Sequence, residues 1–166
     1  MFKKLAATVS VASLLGGFAH AATTTANLPV TATLQATCSA SAAALAFGAY
    51  TPGAGARTGN TTVSVRCTKN TAYTVALNAG TTTGGSLVQR LMASGANTLQ
   101  YNLYTTAAFA SVFGDGTGGT LTAAGTGAGV ATANTLTVFG NLPDSAANQA
   151  AVPGNYSDTI LVTVTY

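Results

Sequence analysis

Hydrophobic positions along most of this chain recur at every second residue. Leu28, Val30, Ala32 and Leu34 alternate with Pro29, Thr31, Thr33 and Gln35. Val63 and Val65 alternate with Thr62, Ser64 and Arg66; Tyr73, Val75 and Leu77 with Thr74, Ala76 and Asn78; Leu99, Tyr101 and Leu103 with Thr98, Gln100, Asn102 and Tyr104. The last stretch is the clearest, with Ile160, Val162, Val164 and Tyr166 set against Thr159, Leu161, Thr163 and Thr165. A period of two puts one set of side chains on one face of a strand. The abundant Thr, Val and Tyr pack well on a pleated surface. Turn-forming residues separate the runs, including Thr51-Pro-Gly-Ala-Gly, Gly84-Gly85, Ser94-Gly95 and Pro153-Gly154. Many short strands with frequent breaks predict an all-β antiparallel sandwich. The Gly/Thr/Ala stretch from Gly114 to Asn134 reads as a long loop holding at most a short strand. The Ala-rich piece from Ala40 to Ala46 reads as at most one helical turn.

The start of the chain has a different character. Lys3 and Lys4 precede an apolar run from Leu5 to Phe18, and Ala19-His20-Ala21 offers small residues around a cleavage point. Residues 1–21 are therefore expected to be a secretory signal peptide, too short and wrongly flanked to span a membrane. The chain from Ala22 onward then carries Arg57, Arg66, Lys69 and Arg90 against Asp115, Asp144 and Asp158, a net charge of +1. Phosphate binding needs clustered basic residues, and only Arg66 and Lys69 are near each other, so no nucleic-acid partner is expected. No later stretch reaches the roughly 18 apolar residues that cross a bilayer. Charged residues are 5% of the chain, against about 25% in ordinary domains. So bare a surface favours association with neighbouring subunits. In an exported chain Cys38 and Cys67 are expected to form a disulfide, with two free thiols as the alternative.

The residues available for chemistry are few. The one histidine, His20, leaves with the signal, and the three acids are all Asp, with no Glu. A Ser–His–Asp arrangement needs a histidine, and zinc sites need three or four protein ligands. Each Asp lies in a turn-like setting, where its side chain is expected to bond nearby backbone amides. The glycine clusters Gly114-Asp-Gly-Thr-Gly-Gly119 and Gly125-Thr-Gly-Ala-Gly129 lack the strand-before, helix-after setting of a phosphate loop. The expectation is a protein with no catalytic residues, no cofactor and no metal.

The two ends carry the functional signal. A polar piece from Ala22 to Asn27 leads into the alternating run up to Cys38, and the chain finishes inside another alternating run at Tyr166. Two readings are open for residues 27–37. They are the protein's own first strand, or they are a strand supplied to another subunit whose sandwich lacks one. The second would be strand addition, with backbone pairing for affinity and alternate side chains for fit.

Several stretches bear on that choice: Phe47-Gly-Ala-Tyr50, Val65-Arg-Cys-Thr-Lys-Asn-Thr-Ala-Tyr-Thr-Val-Ala-Leu77, Leu99-Gln-Tyr-Asn-Leu-Tyr104, Val112-Phe-Gly-Asp-Gly-Thr-Gly-Gly-Thr120, Val138-Phe-Gly140 and Pro153-Gly-Asn-Tyr-Ser-Asp-Thr-Ile160. In order and content the sequence resembles the spore coat protein U domain family, which includes subunits of archaic chaperone–usher pili. Asn70 stands where that family usually has Gly, and Phe113 where it usually has Trp. The resemblance implies an incomplete immunoglobulin-like antiparallel β-sandwich completed by a donor strand. Residues 22–37 would be the donor segment and 38–166 the sandwich domain. By that likeness Leu28, Val30, Ala32 and Leu34 form the donor face. Ile160, Val162, Val164 and Tyr166 line the acceptor groove, and Cys38 bridges Cys67. It further implies passage through the periplasm to the cell surface. The partners would be other subunits, a periplasmic chaperone and an outer-membrane usher, with a role in adhesion and biofilm formation. A secreted coat or matrix protein that forms no pili is the alternative role.

Overall fold

The computed structural model describes residues 20–166. Apart from its last two residues, the expected signal peptide lies outside the described residues. The chain divides into two compact units, Met1–Thr33 and Leu34–Tyr166. In the first, residues 20–33 have no helix or strand, and their side chains are exposed.

The second unit holds eight strands and one helical turn. These are β1 (Cys38–Ala42), β2 (Arg57–Cys67), β3 (Ala72–Leu77), β4 (Arg90–Ser94), β5 (Asn97–Tyr104), β6 (Ala123–Thr126), β7 (Asn134–Leu142), α1 (Ala146–Gln149) and β8 (Val162–Thr165). They form a five-stranded sheet in the order β1-β2-β7-β5-β4 and a three-stranded sheet in the order β6-β3-β8. Every strand pairing is antiparallel. The inner faces meet in one core. Val63, Val65 and Cys67 of β2, Leu99, Tyr101 and Leu103 of β5, and Val138 and Leu142 of β7 pack against Tyr73, Val75 and Leu77 of β3. The alternating positions of β2, β3 and β5 are thus the buried ones, as a half-buried strand requires.

The Ala40–Ala46 piece is a correction. Its first residues belong to β1, with Cys38 directly opposite Cys67, Ala40 opposite Val65 and Ala42 opposite Val63. A disulfide joins Cys38 to Cys67. Ladder bonds and that cross-link outweigh the helical preference of alanine, which is a weak prior. The Gly114–Asn134 stretch does hold a single short strand within it, β6. Two substitutions against the family pattern fit their places. Asn70 sits at φ 64°, in the left-handed region that Asn tolerates best after Gly. Phe113 is buried in the core.

Candidate strand-acceptor groove

The sandwich is open along one side. β1 closes the larger sheet on one flank and β8 closes the smaller, and neither has a second ladder partner among the described residues. Between them lies a cleft of about 380 Å³, lined by Ala42 and Leu45 on one wall and Ile160 and Val162 on the other. Its floor is the core itself: Val63, Leu77, Leu103 and Val138 all reach it. A second cleft of about 730 Å³ continues past Leu45, Phe47, Met92 and Tyr156, which both clefts share, toward Leu99 and Leu142.

The β1 wall explains why space remains. Residues directly opposite in a ladder point to the same face. Ala40 and Ala42 face Val65 and Val63, so they point toward the core. Both are nevertheless exposed, while Val63 and Val65 are 1% exposed. Inward-pointing methyl groups too small to close the gap leave apolar surface waiting for a cover. After β1 the chain runs over β2 and β7 where Gly59 and Gly140 lie directly opposite each other. A Cβ on Gly140 would collide with Leu45 and Phe47. Glycine here lets Leu45 and Phe47 settle onto the sheet and form the wall. The Phe47 ring then meets Tyr101 edge-on, with centroids 6.0 Å apart.

Polar groups hold the rim. The Asp158 carboxylate accepts bonds from the Tyr101 hydroxyl (2.6 Å), from the amides of Thr81 (2.9 Å) and Thr82 (3.1 Å), and from both threonine hydroxyls. Partial burial works against its charge, but the bonds from Tyr101 and the Thr81 and Thr82 amides prevail and hold it below the usual carboxylate range. The same carboxylate pushes the Tyr101 hydroxyl up, after burial, which is the larger cause. At the far end Asp144 accepts from the Tyr50 hydroxyl (2.5 Å) and from the amides of Gly53 (3.1 Å) and Gly55 (2.9 Å). Those bonds, Tyr50 first, keep Asp144 low, while desolvation and Asp144 push Tyr50 up to about 12. Asp115 bonds locally, to the amide and hydroxyl of Thr117, and Asp158 adds a local bond from the Thr159 amide to its long-range ones. The expectation of local turn bonds is therefore corrected for Asp144 and extended for Asp158. Each carboxylate reaches across tens of residues and pins a loop that frames the groove. Among the described residues no group of three or more His, Cys, Asp or Glu is placed to hold a metal ion.

Arg90 is the residue that sequence reasoning missed. It is fully buried. Its guanidinium donates to the carbonyls of Asn78 (2.9 Å) and Phe113 (2.8 Å), to the Asn102 side chain (2.6 Å) and, more weakly, to the Leu87 carbonyl (3.4 Å). Burial lowers its pKa from the usual arginine value. An arginine in an alternating strand is ordinarily an outward-facing charge, so composition carried no sign of this hub.

The expected groove residues divide. Ile160 and Val162 line the cleft, and Val164 packs on the core beyond it. Tyr166 is 58% exposed and is not on the cleft. The hydrogen-bonded strand is shorter than the alternating run, because Leu161 pairs with the backbone and side chain of Asn78 outside the ladder. The expected donor residues are all uncovered: Leu28, Val30 and Leu34 are 85%, 86% and 89% exposed, and Ala32 is exposed too. Residues 27–37 form no strand.

The chain belongs to the Spore Coat Protein U domain family, whose pattern it matches over residues 24–163. Among solved structures it is similar to the CsuC–CsuE chaperone–tip adhesion subunit pre-assembly complex from archaic chaperone–usher Csu pili of Acinetobacter baumannii. The two agree at a TM-score of 0.52 and 22% identity, over 81% of this chain and 40% of that one. At that identity the likeness speaks to the fold, and this chain spans less than half the length of the other. No curated protein matches the chain.

Proposed function

We propose that this protein is a structural subunit of a secreted surface fibre of the chaperone–usher kind, polymerised by donor-strand exchange. The observation that carries the reading is the pairing of two unsatisfied surfaces in one chain. One is the groove floored by Val63, Leu77, Leu103 and Val138. The other is the alternating, exposed set Leu28, Val30, Ala32 and Leu34. Four such side chains span about 20 Å of extended strand, and each Leu or Val covered contributes roughly 1.5–3 kcal/mol. In this reading residues 22–37 of one copy enter the groove of the next, and Ile160, Val162 and Val164 receive them. Tyr166, expected beside them, lies off the cleft, and its place in an assembled fibre is part of the proposal. Export with residues 1–21 as signal, capture by a periplasmic chaperone, secretion through an outer-membrane usher, and service in adhesion and biofilm formation follow from the same reading. Family likeness and the structural match to a pilus subunit complex support it, and the disulfide fits an oxidising route of export. The role is structural, and the reading assigns no catalysis.

The test uses a full-length chain whose own donor is disabled by Val30→Asp and Leu34→Asp. Adding a peptide of residues 22–37 should give a one-to-one complex with a sharply raised unfolding midpoint. If the double variant is already cooperative and the peptide changes nothing, the groove is not an acceptor. The protein is then better read as a self-contained coat or matrix component, the role that the family's name carries.

A further inference from the structure

We infer that the chain is built so that its donor segment cannot enter its own groove with the whole donor set facing the core, which directs strand exchange to a second copy; this rests on the donor-strand reading above. The reason is one of phase. β1 begins at Cys38, and its core-facing residues are the even-numbered Cys38, Ala40 and Ala42, opposite Cys67, Val65 and Val63. The donor set is even-numbered as well. To lie beside the free edge of β1, the chain's own segment would have to reverse just before Cys38 and run antiparallel to it.

The tightest reversal is a two-residue hairpin through Gln35-Ala36. It sets Leu34 opposite Thr37, Ala32 opposite Ser39 and Val30 opposite Ser41. Those partners lie on the outer face of the sheet, alternating with the inward ones. A one-residue slip in register sends every side chain to the wrong face, so this hairpin would turn the whole donor set toward solvent.

Hairpins with an odd number of loop residues restore the phase, and the common three-residue form needs a left-handed third residue. A loop of residues 35–37 gives that place to Thr37, a β-branched residue for which positive φ is a genuine outlier. It also breaks the bonds that Thr37 now makes: its carbonyl accepts from the Thr68 amide (3.0 Å), and its amide donates to the Thr68 hydroxyl (3.3 Å). A loop of residues 34–36 puts Ala36 in the left-handed place and removes Leu34 from the donor set, and a five-residue loop of residues 33–37 removes Leu34 as well. No Gly, Asn or Asp occurs between Leu34 and Cys38. The disulfide at Cys38 fixes β1 against β2, so the strand cannot slide by one residue to correct the mismatch. A second copy's segment meets none of these constraints, since its phase in the groove is not tied to this chain's β1 through a turn.

The experiment compares three full-length oxidised chains: wild type, Thr37→Gly and Gln35→Gly. Thr37→Gly supplies the left-handed residue that an in-phase loop needs. Gln35→Gly adds equal freedom but favours only the out-of-phase two-residue turn, which takes Gly at its first position. Thr37→Gly should yield a monomer whose unfolding midpoint is unchanged over roughly hundredfold dilution, whereas wild type and Gln35→Gly should lose midpoint on dilution, as association requires. A wild-type chain that is itself a dilution-independent monomer overturns the inference. So does a Gln35→Gly chain that closes as well as Thr37→Gly, or a Thr37→Gly chain that does not close. The peptide of residues 22–37, added to the donor-disabled variant, separates the two levels. If the peptide stabilises that variant while wild type is self-closed, only the intermolecular claim falls. If the peptide does nothing, the donor-strand reading itself falls.

Discussion

Arg90 has four hydrogen bonds, and every one ends on a neutral oxygen. A buried charge normally costs more than it returns unless its donors are satisfied. Here the planar fork meets carbonyls from three separate segments, at Asn78, Leu87 and Phe113, plus the side chain of β5 residue Asn102. One side chain thus sews together the loop after β3, the loop before β4 and the core around Phe113. Replacing it by Ala would strand these buried acceptors, at about 1–3 kcal/mol each. Arg90→Ala should therefore lower stability by at least about 3 kcal/mol. Arg90→Lys should recover little, because a compact ammonium cannot reproduce the fork. Urea unfolding of the full-length oxidised chain reads both. A wild-type midpoint for Arg90→Lys would show that charge, and not geometry, is what the hub uses.

At the scale of strands, what could be read beforehand depended on how each strand is covered. β2, β3 and β5 each have one face on the core and one in water or against a loop, so Val63–Val65, Tyr73–Leu77 and Leu99–Leu103 alternate cleanly. β7 carries Gly140 in its buried series and Phe139 on its outer face, and β4 carries a buried arginine. Both break the apolar alternation and leave no period to detect. β1 has only small residues, which carry almost no hydrophobic signal. The run at Leu28–Leu34 alternates as strongly as any but makes no strand, because a period of two records which face suits burial and does not by itself supply a ladder partner. The groove was half legible for the same reason. Ile160 and Val162 announced themselves. Leu45 and Phe47 reach the cleft over the Gly59–Gly140 depression, from a segment without periodicity, and Met92 and Tyr156 reach it from the short β4 and from the chain before β8.

The molecule as a whole has an unusually simple titration. Its one histidine is His20, in the segment expected to be removed, and it has no glutamate. The groups that link stability to pH are the three aspartates, held low, Tyr50 and Tyr101, held high, and, at the alkaline extreme, Arg90, lowered by burial. For an aspartate whose folded pKa is depressed, the stabilisation is present above the unfolded value of about 3.9 and is lost as pH falls through the folded one. For a tyrosine whose folded pKa is raised, it is present below about 10 and is lost as pH climbs through the folded value. Unfolding midpoints of the full-length oxidised chain should therefore be level from about pH 5 to pH 9. They should fall outside that range, on the acid side first as the loops at Asp144 and Asp158 let go. A slope near pH 6.5 would point to a titrating group that these bonds do not include.

The link between Cys38 and Cys67 also determines how the protein would carry tension. A pull arriving along residues 22–37 meets the two hydrogen bonds between Thr37 and Thr68 and then Cys38, the first residue of a five-residue edge strand. Without a cross-link that strand could be peeled away bond by bond. With it, the load passes covalently into β2, an eleven-residue strand paired on both sides. The 29-residue separation inside the bridge stays out of reach of the pull, withholding roughly 100 Å of contour length. Stretching single oxidised and reduced chains should show that difference in full extension, with the reduced chain yielding at lower force. Equal extensions would mean that the bridge lies off the load path.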